Sequence, residues 1–174
     1  IPPRFFNVGE NLKGLLSQNA NIDSINLYIP KHYKRFKYDE HELPILPTGV
    51  NLRMVETDYG PATKILPAVQ EYQGQDAMIL FGDDDKVYDP NWAQRFVNAA
   101  AEHPGHVICE EGGHISMPNY AAIDWISNRK PQSQFIKKDL RYRAKRAMTF
   151  GTWKPSKAIS SGYVDILEGW GGVL

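Results

Sequence analysis

The chain has 174 residues, of which 42% are hydrophobic, so it is long enough for one domain with a buried core. Its 20 Lys and Arg balance its 20 Asp and Glu, so no net field favours nucleic acid or an acidic membrane surface as a partner. The single Cys109 excludes an internal disulfide framework and favours a reducing compartment. We therefore expect a cytoplasmic protein, and the absence of a long apolar run predicts no transmembrane segment.

The first part of the chain alternates between helical and extended patterns. Ile1–Phe5 is too rich in proline for a strand interior and predicts a loop, in which Arg4 either lies over a base or phosphate or is an ordinary surface residue. Apolar spacing predicts a helix over Asn7–Gln18 and strands over Ile22–Ile29 and Val50–Val55. A loop, a helix and then a strand suggest a parallel crossover connection.

A turn with functional character follows the second strand. Asp58 and Gly60-Pro61 precede a predicted helix over Ala62–Tyr72, which carries Lys64 in its first turns. Helix N-termini attract phosphate, and a nearby Lys adds a point charge. The segment fits neither the Walker nor the dinucleotide glycine pattern, so taken alone it is a weak indication of a phosphate site.

The most informative stretch is an apolar run, Met78–Phe81, that ends in Asp83-Asp84-Asp85. It predicts a buried strand whose carboxyl end, where open α/β sheets bind ligands, carries three acids. Carboxylates packed so closely repel one another unless a cation lies among them, and hard oxygen ligands suit Mg²⁺ or Mn²⁺. The alternative is an acidic turn, because Asp favours turns and helix N-caps.

The second half has less regular patterns. Trp92–Ala101 predicts a helix and His106–Cys109 a strand, after which His114 is either a ligand or a hydrogen-bonded loop residue. Asn128–Lys157 is rich in Lys, Arg and aromatic residues. This composition has three interpretations: a patch that binds nucleic acid, a solvated basic face, or a basic loop that folds over phosphates. The neutral total charge favours the solvated face, so we expect no nucleic-acid partner. Ser160–Gly172 suits a sugar-binding surface or a tight turn.

The order of elements predicts an α/β protein with a mixed, mainly parallel central sheet flanked by helices. Three motifs along it resemble the metal-dependent nucleotide-sugar glycosyltransferases of the GT-A fold, family-2-like. Asp83-Asp84-Asp85 is similar to their Asp-x-Asp motif, Thr57–Lys64 resembles a run in bacterial capsule-type and large-virus members, and Asp165–Leu174 resembles their GxGG acceptor-side region. The resemblance implies one Rossmann-like GT-A domain over residues 1–174, with the first strand and the C-terminal end missing, located in the host cytoplasm if viral.

The resemblance also implies a reaction. A sugar moves from a nucleoside-diphosphate sugar donor, UDP-linked in the commoner metal-dependent members, to a hydroxyl group of a glycan or glycoprotein acceptor. Mn²⁺ or Mg²⁺ acts as the Lewis acid, and the transfer is inverting.

Individual residues receive roles from the same resemblance. Asp85 and Asp83 are implied as metal ligands. The implied contacts to the nucleotide sugar are Pro3, Arg4, Asp58, Gly60, Lys64, Asp83 and Asp84. An inverting enzyme needs a base that takes the proton of the acceptor hydroxyl, and Asp165 and Glu168 are the late acids that the chain offers for this catalytic role. The alternative is that the base lies beyond Leu174, in which case Asp165 and Glu168 bind the acceptor or are structural.

Two alternatives stay open. A nucleotidyltransferase shares the metal and the layout, but it usually carries a glycine- and lysine-rich loop after its first strand, which Pro2-Pro3-Arg4 does not resemble. A non-enzymatic module that binds nucleic acid or another anionic ligand through Asn128–Lys157 is the alternative from a different class, and a steep salt dependence of binding would favour it.

Overall fold

The structure is a computed structural model that describes residues 1–39, 42–114, 131–135, 137–153 and 158–173. The chain divides into two compact units, one formed by Ile1–Glu110 with Trp170–Leu174 and the other by Glu111–Gly169. Within the described ranges, no helix has both the length and the apolar character needed to cross a membrane.

Helices and strands alternate along the chain, which makes this an α/β protein, as predicted. The α-helices are α1 (Val8–Leu16), α2 (Leu66–Glu71), α3 (Trp92–Glu102) and α4 (Leu140–Met148), and 3-10 helices span Pro2–Asn7 and Gly60–Lys64. The strands are β1 (Ile25–Pro30), β2 (Val50–Val55), β3 (Leu80–Gly82), β4 (Ile108–Gly113), β5 (Gln134–Phe135), β6 (Ala158–Ser160) and β7 (Ile166–Val173).

The predicted parallel pairing is present at the start of the chain. β1 and β2 pair in parallel, from Ile25 opposite Val50 to Pro30 opposite Val55. The side chains of Ile29 and Pro30 are fully buried, so the carboxyl end of β1 is firmly packed. A parallel pair places both carboxyl ends at the same edge, where the loop after β1 and the turn after β2 meet.

The core of the first unit lies under the acidic turn. Tyr88, Trp92 and Phe96 are each at most 5% exposed, with ring centroids 4.0 Å apart for the first pair and 5.3 Å for the second. Leu15 of α1 and Leu80 of β3 pack against this cluster. The turn that carries the three aspartates is therefore supported by a buried cluster of packed aromatic rings.

The sheet differs from the predicted one. β3, β7 and β4 form a three-stranded sheet in that order, in which β3 and β7 are antiparallel, and β1 with β2 forms a separate sheet. The described strands pair in both parallel and antiparallel fashion, but they do so in separate sheets and do not form one central, mainly parallel sheet. The reason is that β7 returns along β3 and that no described strand joins β3 to β1. Most of strand β7 lies within Ser160–Gly172, so the predicted tight turn does not span this segment, and the sugar-binding surface stays a prediction.

The second unit contains the short antiparallel pair of β5 and β6 and the basic helix α4. Asp139 caps this helix, because its Oδ1 accepts a hydrogen bond from the backbone N–H of Tyr142 at 2.8 Å. Lys145 Nζ lies 4.5 Å from the ring centroid of Trp153. The ends of the predicted basic segment, 128–130 and 154–157, lie outside the described residues.

Candidate functional site

Two buried side chains, those of Tyr88 and Asn11, form hydrogen bonds with the backbone of the turn after β3. The Tyr88 hydroxyl accepts a hydrogen bond from the Asp83 N–H at 2.8 Å and donates one to the Asp83 carbonyl at 3.2 Å. Asn11 Nδ2 donates to the carbonyls of Asp83 and Lys86 at 2.7 and 2.6 Å. Burial raises the pKa of Tyr88 well above its ordinary value, so the hydroxyl keeps its proton. The backbone of the acidic turn is thus fixed before any ligand arrives.

Basic side chains from two other segments surround the aspartates. Lys64 Nζ donates to Asp83 Oδ1 at 2.5 Å. Arg4 forms ion pairs with Asp84 Oδ1 at 3.0 Å and with Asp85 Oδ2 at 2.5 Å. Three segments that the sequence singled out separately therefore meet at one place in the fold.

These ion pairs are open to solvent. The side chains of Asp83, Asp84 and Asp85 are 35%, 22% and 48% exposed, and those of Lys64 and Arg4 are 27% and 38% exposed. Partly exposed pairs of this kind contribute about 0–1 kcal/mol each, so a charged ligand can replace one partner at little cost. The arrangement can exchange its internal pairs for contacts with a cation and a phosphate.

Asp58 has a structural task at the edge of the site. Its Oδ2 accepts a hydrogen bond from the Lys34 N–H at 2.8 Å, and its Oδ1 accepts one from the Gly60 N–H at 2.7 Å. It is 7% exposed, and the hydrogen bond from the Lys34 backbone is the main reason why the pKa of Asp58 is lowered. The carboxylate joins the loop after β1 to the turn after β2, where Gly60 adopts a φ of +61°. Its implied contact to a base or ribose stays a prediction.

A cavity of about 1050 Å³ opens in the first unit beside these residues. The predicted site residues that line it are Arg4, Asp58, Gly60, Lys64, Asp83 and Asp84. Pro3 and Asp85 are absent from its lining, although Arg4 ties Asp85 to the same cluster. Most of the implied contacts to the nucleotide sugar are thus brought to one cavity.

Several residues at this place escaped the sequence analysis. Tyr33 and Phe36, from the loop after β1, line the cavity with their rings 6.4 Å apart. Burial is the main reason why the pKa of Tyr33 is raised. The aromatic composition of that loop is the signal that could have indicated them. No local pattern indicated Asn11 and Tyr88, because their partners are distant or depend on the folded turn.

The acidic turn has the donor chemistry that a hard divalent cation needs. Mg²⁺ is commonly held by one or two carboxylates together with phosphate oxygens, so Asp83 and Asp85 fit such an ion. Among the described residues, no group of three or more His, Cys, Asp or Glu side chains is arranged to hold a metal ion by itself. A cation at this turn would therefore take part of its coordination from groups other than these carboxylates, such as phosphate oxygens or water.

Asp165 and Glu168, the acids near the end of the chain, are distant in sequence from the segments that carry Arg4, Lys64 and the three aspartates. In the second unit, Asp165 Oδ2 is 3.2 Å from His114 Nδ1, and His114 Nε2 is 3.1 Å from the Ser133 hydroxyl. The Asp165 N–H also donates to the Gly113 carbonyl at 2.9 Å. His114 is thus a hydrogen-bonded residue that joins three segments. The side chain of Glu168 lies outside the described part, so the catalytic role of either acid stays a prediction.

The described elements and the ion-pair cluster define an α/β protein with a charged site at the carboxyl ends of strands. Comparisons with known protein families, with curated proteins and with solved structures give no match to this chain. A more particular assignment therefore depends on the motifs and on the geometry of the site.

Proposed function

We propose that this chain is a metal-dependent glycosyltransferase of the GT-A type. It moves a sugar from a nucleoside-diphosphate sugar, with UDP as the favoured carrier, to a hydroxyl group of a glycan or glycoprotein. The observation that carries the proposal is the contact of Lys64 with Asp83 beside the cavity, because it joins the segment after β2 to the Asp-x-Asp-like turn after β3. Both segments belong to the resemblance, and nothing in their sequence spacing requires them to touch.

The charges of the cluster suit a diphosphate. Asp83 and Asp85 would hold Mn²⁺ or Mg²⁺, which as a Lewis acid stabilises negative charge on the departing nucleoside diphosphate. Lys64 and Arg4, which neutralise aspartates in this structure, are then available to the diphosphate oxygens. Tyr88 and Asn11 keep the turn in place during this exchange.

The acceptor side of the reaction is a separate part of the proposal. Inverting transfer requires a base for the acceptor hydroxyl, and Asp165 and Glu168 are the acids proposed for it. An Asp165→Asn variant that keeps its affinity for the donor but loses turnover would support Asp165. If its turnover were unchanged, Asp165 would be only the partner of His114.

The direct test is release of nucleoside diphosphate from a nucleotide sugar in the presence of Mn²⁺. Asp85→Ala is expected to abolish turnover with the fold intact, whereas Glu102→Ala, which removes an exposed carboxylate of α3, is expected to leave it unchanged. Full activity of Asp85→Ala under metal-replete conditions would contradict the proposal. Release of pyrophosphate from a nucleoside triphosphate and a sugar phosphate would indicate a nucleotidyltransferase instead.

A further inference from the structure

The helix α4 presents its apolar side chains to solvent. At about 100° per residue, Leu140, Ala144, Ala147 and Met148 lie on one face of this helix, within an arc of about 100°. All four are exposed, and the two large side chains, Leu140 and Met148, are 84% and 74% exposed. A surface helix of a globular protein usually turns such a face towards the core. The orientation of α4 is therefore the reverse of the usual one.

The opposite face of α4 makes the contacts within the second unit. Tyr142 and the C-cap residue Thr149 lie on that face, and they are the residues of 140–149 that are only partly exposed. The ring of Tyr142 lies 5.6 Å from the ring of Trp153, measured between centroids, and Lys145 Nζ lies over the same Trp153 ring. Because these contacts use the polar face, they leave the apolar face accessible to a partner.

Basic residues border the apolar face. By helical spacing, Arg141 and Arg143 lie on its two sides, and both are exposed. Lys137 and Lys138, which are also exposed, precede the helix. Residues 137–153 include six Lys and Arg and one Asp. The segment therefore has a local positive charge, although the whole chain is neutral, and this charge attracts an anionic surface.

A large aromatic side chain follows the helix. Phe150 is 96% exposed and has a φ of +48°, in the left-handed region where Gly or Asn usually ends a helix. Since the ring is almost fully exposed, packing within the protein does not offset this unfavourable backbone conformation. The Phe150 ring is thus a further apolar group that a partner can cover.

A basic border beside an exposed apolar face is typical of helices that bind membrane surfaces. Such helices lie in the plane of the membrane interface, with their Lys and Arg near anionic head groups and their apolar side chains at the boundary with the acyl chains. We infer that α4 and Phe150 form a peripheral binding surface for a membrane that contains anionic phospholipids, into which Leu140, Met148 and Phe150 insert. This inference does not depend on the proposed activity.

Two other kinds of partner account for less of this surface. Nucleic acid binds basic residues through its phosphates, which leaves the exposed Leu140 and Met148 without a role. A protein groove binds a helix through a row of large apolar anchors, whereas Ala144 and Ala147 occupy the centre of this face. A helix of nine residues is only about 14 Å long, and a stable protein interface buries about 800 Å² on each partner.

Co-sedimentation with vesicles tests the electrostatic part of the inference. Vesicles of phosphatidylcholine with about one third phosphatidylserine are expected to bind the protein, and vesicles of phosphatidylcholine alone are not. Arg141→Gln combined with Arg143→Gln is expected to weaken this binding by about 20-fold at low salt, because each basic residue near anionic lipid contributes about fivefold. Lys13→Gln combined with Lys37→Gln removes two exposed Lys residues of the first unit and is expected to bind as the unchanged protein does.

A second pair of variants tests the apolar part. Leu140→Ser combined with Phe150→Ser keeps every charge and is expected to weaken binding to the phosphatidylserine vesicles by about tenfold or more, because less apolar surface enters the membrane. Ile45→Ser combined with Phe6→Ser, at positions that are 95% and 81% exposed, is the matched control and is expected to bind unchanged. Circular dichroism verifies that each variant keeps the fold.

The inference is overturned if the protein binds neither kind of vesicle. It is also overturned if Leu140→Ser combined with Phe150→Ser binds the phosphatidylserine vesicles unchanged, because the apolar face would then not enter the membrane. Light scattering and titration with a DNA duplex identify the other partners. A dimer that this double variant dissociates would mean that a second copy covers the face, and binding of the duplex without binding of vesicles would mean a nucleic-acid surface. Either result overturns the inference.

Discussion

Lys64 donates a hydrogen bond from Nζ to Asp83 Oδ1 over 2.5 Å, and the same ammonium group lies 5.6 Å from the ring centroid of Phe81. This contact connects the turn after β2 with the end of β3. It also places a positive charge beside the acidic turn, at the edge of a cavity large enough for a nucleotide.

Replacement of Lys64 by Met is expected to weaken the binding of UDP with Mn²⁺ by about 10- to 100-fold, because a charged hydrogen bond to phosphate contributes about 1.5–3 kcal/mol. Lys13→Met removes an exposed Lys of α1 that pairs with Glu10, and it is expected to bind as the unchanged protein does. Calorimetric titration of both variants measures the difference. Equal affinities would exclude Lys64 from the phosphate site.

Gly82 has no room for a side chain. A Cβ atom there would lie 2.4 Å from the Tyr88 hydroxyl oxygen, which holds the Asp83 backbone. Gly82→Ala is expected to cost about 1–3 kcal/mol in the free energy of unfolding and to displace the acidic turn. Gly9→Ala, in α1 with no atom within 4 Å of its Cβ, is expected to stabilise by up to about 1 kcal/mol. Urea unfolding of both variants tests this, and a stable Gly82→Ala protein would contradict the geometry.

Asp58 makes the free energy of unfolding depend on pH in the acid range. Because its folded-state pKa lies below the ordinary value of 3.8, its contribution is present at pH values above 3.8 and is lost as the pH falls through the lower folded-state pKa. Asp58→Asn presents an amide donor to a backbone N–H and is expected to cost about 1–3 kcal/mol at neutral pH. This difference should shrink in acid. Urea unfolding over a pH series, with the exposed Asp23→Asn as control, would refute the account if the difference were independent of pH.

His114 is expected to stabilise the second unit and to have no effect on the stability of the first. His114→Ala removes the contacts with Asp165 and Ser133, and it should speed amide exchange at Ser133 and Asp165, whose N–H groups bond Tyr163 and Gly113. Exchange in β1 should not change. His106→Ala, at an exposed loop position, is the control. Unchanged exchange at Ser133 and Asp165 in His114→Ala would show that this network does not stabilise the unit.

Local patterns were sufficient for the elements with a clear apolar period. β2 has the predicted bounds, Val50–Val55, and α3 begins at the predicted Trp92. The predicted helix over Ala62–Tyr72 divides into a 3-10 helix and α2, because Ile65 leaves helical geometry with a φ of −131° and Pro67 cannot donate a backbone hydrogen bond.

Two elements could not be predicted in this way. α4 has no buried residue and is rich in Arg and Lys, so its basic residues suggested a patch or a loop instead. β7 contains several glycines, which disfavour a strand, and it forms because Gly171–Val173 pair with Leu80–Gly82 far away in the chain.

The segments that form the candidate site were predicted from the sequence, but the contacts between those segments were not. The acids of the turn after β3 follow from an apolar run that ends in three Asp residues. The contact of Lys64 with Asp83 and the support from Asn11 and Tyr88 depend on tertiary packing, which no local pattern contains.

Calorimetric titration of UDP and of GDP, each with and without Mn²⁺, tests the central claim most directly. The account predicts that one nucleotide binds tightly with Mn²⁺, and that this binding is lost without the metal and in the Asp85→Ala variant. Binding that is indifferent to both Mn²⁺ and Asp85, or no binding of either nucleotide to the folded protein, would contradict it.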